Sequence, residues 1–294
     1  MSKFTIGIGV AIVALLGFLV FVKPSEDKQD TAKTQTVSTL RDAHGLVVDR
    51  KDSSKVYVAT HTGLLMMQND GELQRVGTAQ DDYMGFSAHP TDQNTFYASG
   101  HPSRGGNLGF QKSTDGGKTW QKISDGVNGP VDFHAMAVSQ VDPTIVYGHH
   151  GGQLQRSNDE GKTWELVGTN LGSVTALATS ATTRDEVLAG TAAGVYVSQD
   201  RGKTWTKQGT MNDPIMAVSI NPINDQEVIV STHTQGIMLS VDGGNNWSKL
   251  EGYSGSMVTH LAYDPQNTAT MYLINQDLEI HKTNDGGKSW QKIR

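Results

Sequence analysis

An eight-residue pattern ending in tryptophan returns five times in this 294-residue chain. Its copies are STDGGKTW (113–120), SNDEGKTW (157–164), SQDRGKTW (198–205), SVDGGNNW (240–247) and TNDGGKSW (283–290). They take up all five tryptophans, at spacings of 44, 41, 42 and 43 residues. So even a period means that one supersecondary unit is built repeatedly, each copy covering the apolar face of the next. A degenerate sixth copy, QNDGEL (68–73), keeps Asp70 and Gly71 but has Leu73 where the tryptophan belongs.

The pattern is a turn followed by an anchor. Asp115, Asp159, Asp200, Asp242 and Asp285, with the Ser or Thr two residues earlier, suit bonding to the backbone of a tight turn, and glycine supplies positive φ. Trp120, Trp164, Trp205, Trp247 and Trp290 then carry the chain back into a sheet to pack between units. Two short β-rich runs precede each copy, as in IMAVSINP and EVIVSTHTQGIMLS, and one follows, as in TWQKI. Four strands in each unit is the signature of a propeller blade. The expected fold is all-β, a six-bladed β-propeller with blades beginning near Leu40, Asp82, Pro130, Ser173, Asp213 and Ser256. The last blade has a fourth strand of its own, SWQKI (289–293), so closure by strand exchange is not evident. Whether TVSTL (36–40) adds an edge strand is left open.

S-x-D-x-G-x-[TS]-W resembles the Asp-box, or bacterial neuraminidase repeat. That repeat occurs in sialidases, sortilin-type receptors, some glycoside hydrolases and photosystem II assembly-factor propellers. The resemblance covers roughly residues 40 to 294 and implies boxes on the blade periphery. The ten box aspartates and tryptophans are therefore expected to be structural. Fold likeness of this kind specifies no activity.

The N-terminus is a different material. FTIGIGVAIVALLGFLVFV, residues 4 to 22, carries no charge and is long enough, at about 1.5 Å per residue, to span a ~30 Å hydrocarbon layer. No small-residue cleavage site follows it. Residues 1–22 are expected to be an uncleaved transmembrane signal-anchor and 23–38 a polar tether. Residues 39–294 would then be a propeller on the extracytoplasmic side of the cell membrane. The formal charge of −6, without a basic block, argues against nucleic acid as partner. The absence of cysteine excludes disulfides and thiolate metal sites.

In a propeller the innermost strand of each blade starts on the face where the second strand ends. Residues at these two positions surround one mouth of the central channel. The first column reads DAHGLVV, DYMGFSA, DFHAMAVS and DPIMAVSI in blades one, two, three and five. It brings Asp42 with His44, Asp82 with Met84, Asp132 with His134 and Met136, and Asp213 with Met216. Blade six adds Met257 or His260, the alignment leaving both open, and blade four only Thr175. The second column reads VATHTG, ASGHPS, YGHHGG and STHTQG, adding His61, His101, His149 or His150, and His233. The blades rich in imidazole and thioether in one column are the same in the other.

This ligand set suits a soft transition metal, with copper the first candidate. An alternative is a glycoside hydrolase using two mouth carboxylates such as Asp82 and Asp132, since glycosidases flank the scissile bond with such a pair. Sialidase activity is not expected, because only Arg41 of eight arginines lies near the mouth. A third reading is a protein-interaction scaffold acting through the outer blade surface. No G-x-S-x-G, P-loop or H-E-x-x-H motif is present.

Overall fold

The computed structural model describes Met1 and residues 35–68, 71–168 and 171–294. The expected membrane helix, most of the tether, and Asp70 of the degenerate box lie outside these residues. Among the described residues no helix is long and apolar enough to cross a membrane.

Six antiparallel sheets form the blades. Their innermost strands are Gly45–Val48, Asp82–Ala88, Ala135–Val138, Val174–Thr179, Ile215–Asn221 and Val258–Tyr263. The second strands are Val56–Thr60, Phe96–His101, Val146–His150, Val187–Thr191, Asn224–Thr232 and Met271–Asn275. Second strands are apolar runs buried from both sides, as in VYVAT, with every residue inside. Outer strands are short and exposed, down to two residues in Ser248–Lys249. Short polar edges of this kind discourage pairing with another chain.

The core consists of six apolar clusters, one at each junction between neighbouring blades. The junction that closes the ring resembles the other five. Val48, Val58 and Leu65 of blade one pack there against Tyr272, Ile274 and Ile280 of blade six. Tyr272 also donates to the Ser53 carbonyl at 2.8 Å. Closure thus rests on packing rather than on an exchanged strand, since blade six keeps its own outer strand, Gln291–Lys292. The N-terminal stretch does add an edge: Thr36–Val37 pairs with Leu73–Val76 as a fifth strand of blade one. The propeller therefore begins before residue 39. Arg294 ties the last residue to this edge through the Gly71 and Ser38 carbonyls, at 2.5 and 2.6 Å.

The five described Asp-boxes share one Ser/Thr–Asp network, which the tryptophan closes on a glycine carbonyl in the first three. In the first, Ser113 Oγ donates to Asp115 Oδ1 at 2.8 Å and accepts the Gly117 amide at 2.9 Å. Asp115 also accepts the Thr119 amide and hydroxyl, at 2.9 and 2.6 Å. Trp120 then donates to the Gly117 carbonyl at 3.1 Å. Two successive positions after the aspartate take positive φ, and Glu160 and Arg201 occupy the first of these with φ of 62° and 63°. That backbone region disfavours residues with a Cβ. Glu160 is held by Tyr97 Oη and Lys112 Nζ, both at 2.6 Å. Arg201 is held by Asp185 at 2.6 Å. The boxes join third to fourth strands, on the face opposite the innermost-strand starts.

Candidate functional site

The mouth is built by strand periodicity. In extended backbone, alternate side chains share a side. In D-x-H the outer letters face the channel while the middle residue enters the blade. Tyr83 and Phe133 are fully buried and pack on Trp120 and Trp164, with ring centroids 4.8 and 4.9 Å apart. Ladder register makes His44, Met84, His134, Thr175, Met216 and Thr259 equivalent. Each directly precedes the residue that starts the continuous ladder, as in Gly45↔Ala59, Gly85↔Ser99 and Ala135↔His149. In blades two, four, five and six this position is a β-bulge. A bulge turns an extra side chain out of the pleat. Met84, Thr175 and Met216 accordingly line the mouth cavity with His44 and His134.

Between blades one, two and three the expected residues meet as two clusters. In the first, His44 Nε2 and His61 Nε2 are 2.9 Å apart. Asp42 lies beside both, 3.8 Å from His44 Nε2 and 3.4 Å from His61 Nδ1. Asp42 also accepts the His61 backbone amide at 2.6 Å, which fixes the strand end. In the second, Asp132 Oδ2 lies 2.9 Å from His101 Nε2 and 2.7 Å from His134 Nε2. The potential ligand atoms of each trio lie within 4.8 Å of one another. Asp82 stands between the clusters. It pairs across the ladder with His101, and its Oδ2 is 3.7 Å from His61 Nε2.

Two carboxylate oxygens here, Asp82 Oδ1 and Asp132 Oδ1, are buried without a hydrogen-bond partner. Asp132 is only 4% exposed. Buried charged groups normally are paired or coordinate a metal, so unfilled acceptors mark a place for a ligand. Burial raises the Asp82 carboxyl above its ordinary value, with His61 and His44 opposing the shift. Burial lowers His44, assisted by His61. His101 is raised, first by donating to the Gly106 carbonyl and then by Asp132 and Asp82. That bond from His101 Nδ1, 3.0 Å long, leaves Nε2 aimed at the cluster, the orientation that metal-bound imidazoles adopt. It comes from the HPSRGGNLG loop (101–109), which folds back onto His101 and docks on blade three through Asn107 and the Pro130 carbonyl, 2.9 Å.

The remaining expected residues are placed differently. His149 is 8% exposed and lowered by burial, with Nε2 unpartnered. His150 donates to the Asp132 carbonyl at 2.7 Å, supporting the second cluster from behind. Both line the cavity, but the position equivalent to His61 and His101 is Gly151 in blade three. Met136 is buried lower in the channel. His233 shares the His61 register position yet is exposed and absent from the cavity lining. Asp213 is occupied by the Thr234 hydroxyl at 2.7 Å and the Thr234 and Gln235 amides, both at 3.0 Å. The ligand-rich arc therefore covers half the ring. The structure also decides blade six. His260 lines the cavity, at a register position that is Gly or Ala in the other five blades, and burial lowers it to about 4. The sequence signal for it was that lone bulky residue in a small-residue column.

A family model for the BNR/Asp-box repeat matches residues 111–122 and 196–207. The chain is a six-bladed β-propeller that carries Asp-box repeats. The oligoxyloglucan-reducing end-specific xyloglucanase of Emericella nidulans is 28% identical to it over 79 residues, 25% of this chain and 10% of that protein. The GH74 enzyme of Niastella koreensis superposes with a TM-score of 0.58 at 19% identity, over 84% of this chain and 46% of that one. YCF48, solved bound to D1 peptide, superposes at 0.55 and 17% identity, over 88% of this chain and 84% of that one. This propeller thus spans a tenth of the curated relatives it matches and under half of the GH74 enzyme. At these identities the structural likeness is one of fold.

Proposed function

We propose that this Asp-box propeller is a binding protein whose channel mouth takes up a transition-metal ion, copper first, outside the cytoplasm and at the membrane. The observation that carries this reading is the His44–His61 pair beside Asp42. Two imidazole nitrogens 2.9 Å apart are near the separation of two ligands on one ion with metal–nitrogen bonds of about 2.0 Å. Imidazole with carboxylate suits Cu(II), and the Met84 and Met216 thioethers in the same cavity suit Cu(I). Both oxidation states would find donors there. The apolar run of residues 4–22 supports a tethered, extracytoplasmic location, where exchangeable copper is met.

The test is direct. Full-length chain stripped with chelator, then titrated with Cu(II) in a calorimeter, should bind with an affinity that falls at least ~100-fold in the His44→Ala, His61→Ala double variant. No retained copper by elemental analysis, or an affinity unchanged in that variant, ends the reading.

One observation favours a second reading. Asp82 is a carboxyl raised by burial, as a general acid requires, and xyloglucanases are among the relatives. Turnover of a xyloglucan panel, lost in Asp82→Asn and Asp132→Asn, would support it. Against it stand the imidazoles already on Asp132 and, among the described residues, a mouth lining without Phe, Tyr or Trp for sugar stacking. Likeness to peptide-bound YCF48 supports the coarser statement that a propeller of this size is used for binding.

A further inference from the structure

We infer that the arc holds two metal ions, one per cluster, with the Asp82 carboxylate bridging them. This rests on the metal-binding reading above and adds its stoichiometry and its architecture.

Each cluster alone is a three-ligand set of two imidazoles and one carboxylate: His44, His61 and Asp42, then His101, His134 and Asp132. Three protein ligands leave a transition metal with an open position. Asp82 is the one remaining carboxylate between the sets, in contact with the first and paired in the ladder with a member of the second. Its Oδ2 faces His61 of the first set at 3.7 Å, while its ladder partner is His101 of the second. Its Oδ1 is buried and unpartnered, as is Oδ1 of Asp132, which is itself 4% exposed. With Oδ2 on the first set, His101 of the second directly across the ladder and Oδ1 still unpartnered, this carboxylate stands where a bridge would.

Charge points the same way. Among the described residues, the ion-pair partners of Asp42, Asp82 and Asp132 are histidines alone, with no lysine or arginine. Three carboxylates crowded into a half-buried arc call for cations. A single divalent ion leaves a negative charge uncompensated; two ions leave the arc slightly positive and still open to an anion or water. The Gly106 carbonyl behind His101 and the Asp132 carbonyl behind the His150 ring hold the second set in place before any ion arrives. Both sets are thus built sites, on three adjacent blades whose closing angle fixes their separation.

The experiment uses full-length chain, stripped of metal and loaded with Cu(II), then desalted. Two copper ions per chain are expected by elemental analysis. Electron paramagnetic resonance should show a dipole-coupled signal with a half-field transition. His134→Ala should leave one ion, bound by the first set, with an ordinary uncoupled spectrum. Asp82→Asn should weaken the second binding step at least ~100-fold in calorimetry, and circular dichroism would establish that it keeps the β-sheet fold. One ion per wild-type chain, unaffected by His134→Ala, overturns the two-ion inference and leaves metal binding intact. Two ions with an uncoupled spectrum overturn the bridge. No ion at all overturns both this inference and the reading beneath it.

Discussion

Aspartate occupies repeated positions on both faces of this propeller, in opposite circumstances. On the box face, Asp115 spends both oxygens on Ser113 and Thr119 within four residues of itself. Asp200 is lowered to about 2 by Thr204, and Asp285 likewise by Ser289. On the mouth face, Asp82 and Asp132 each keep a buried oxygen with no partner, and each meets an imidazole of the neighbouring blade, His61 and His101, with His134 of its own blade also on Asp132. A carboxylate saturated by its own turn stabilises the fold and has nothing left to offer a ligand. One left short by its surroundings destabilises the empty mouth and is available for binding. The same residue type is structural on one face and functional on the other, and its supply of local donors makes the difference.

The largest effect that would sharpen this contrast is on binding. Asp132→Asn should lower copper affinity at least ~100-fold in calorimetry, whereas Asp115→Asn should leave it within about twofold. Equal losses from both would erase the distinction.

Next is stability, where the order reverses. Asp115→Ala removes the acceptor of three bonds and should cost about 2 kcal/mol in denaturant unfolding. Asp82→Asn in metal-free protein at pH 7 should be neutral or stabilising by up to about 1 kcal/mol, since it removes a buried charge with an unpartnered oxygen.

The third effect is the pH dependence of folding. Asp200, Asp242 and Asp285 are lowered to about 2 from 3.8, chiefly by hydrogen bonds from Thr204, Asn246 and Ser289. Because the unfolded chain takes up these protons first, their contribution is complete above about pH 4 and declines as pH falls towards 2. Acid unfolding followed by tryptophan fluorescence should show midpoint stability falling through that window. The Asp200→Asn variant should show a shallower slope there.

The smallest effect tests the turn itself. Glu160→Gly relieves a residue at φ 62° but removes the Tyr97 and Lys112 contacts. The two changes oppose each other, each worth roughly 1 kcal/mol, so net stability should move by less than about 1 kcal/mol. A gain well beyond that would mean the cross-blade contacts contribute nothing.

Much was settled by sequence alone, because the decisive interactions are local. The box network closes within eight residues, and the strand pattern within a blade, so six blades and their boundaries follow from periodicity. D-x-H at a strand start likewise places Asp and His on one side by the pleat, which gives His44 and His134, and the second-strand ends give His61 and His101. What lay beyond reach depended on register and on contacts between blades. Met84, Thr175 and Met216 belong to the mouth by their column, but the bulges that turn them into the cavity are invisible in composition. His233 matches His61 in register yet has no carboxylate facing it, because Asp213 is satisfied by Thr234 and Gln235. Asp82 belongs to the mouth by its column, but only ring closure sets it between His61 of one blade and His101 of its own. Repetition in the chain determined the scaffold; the angle between blades, a property of six packed interfaces together, decided which of its repeated side chains share a site.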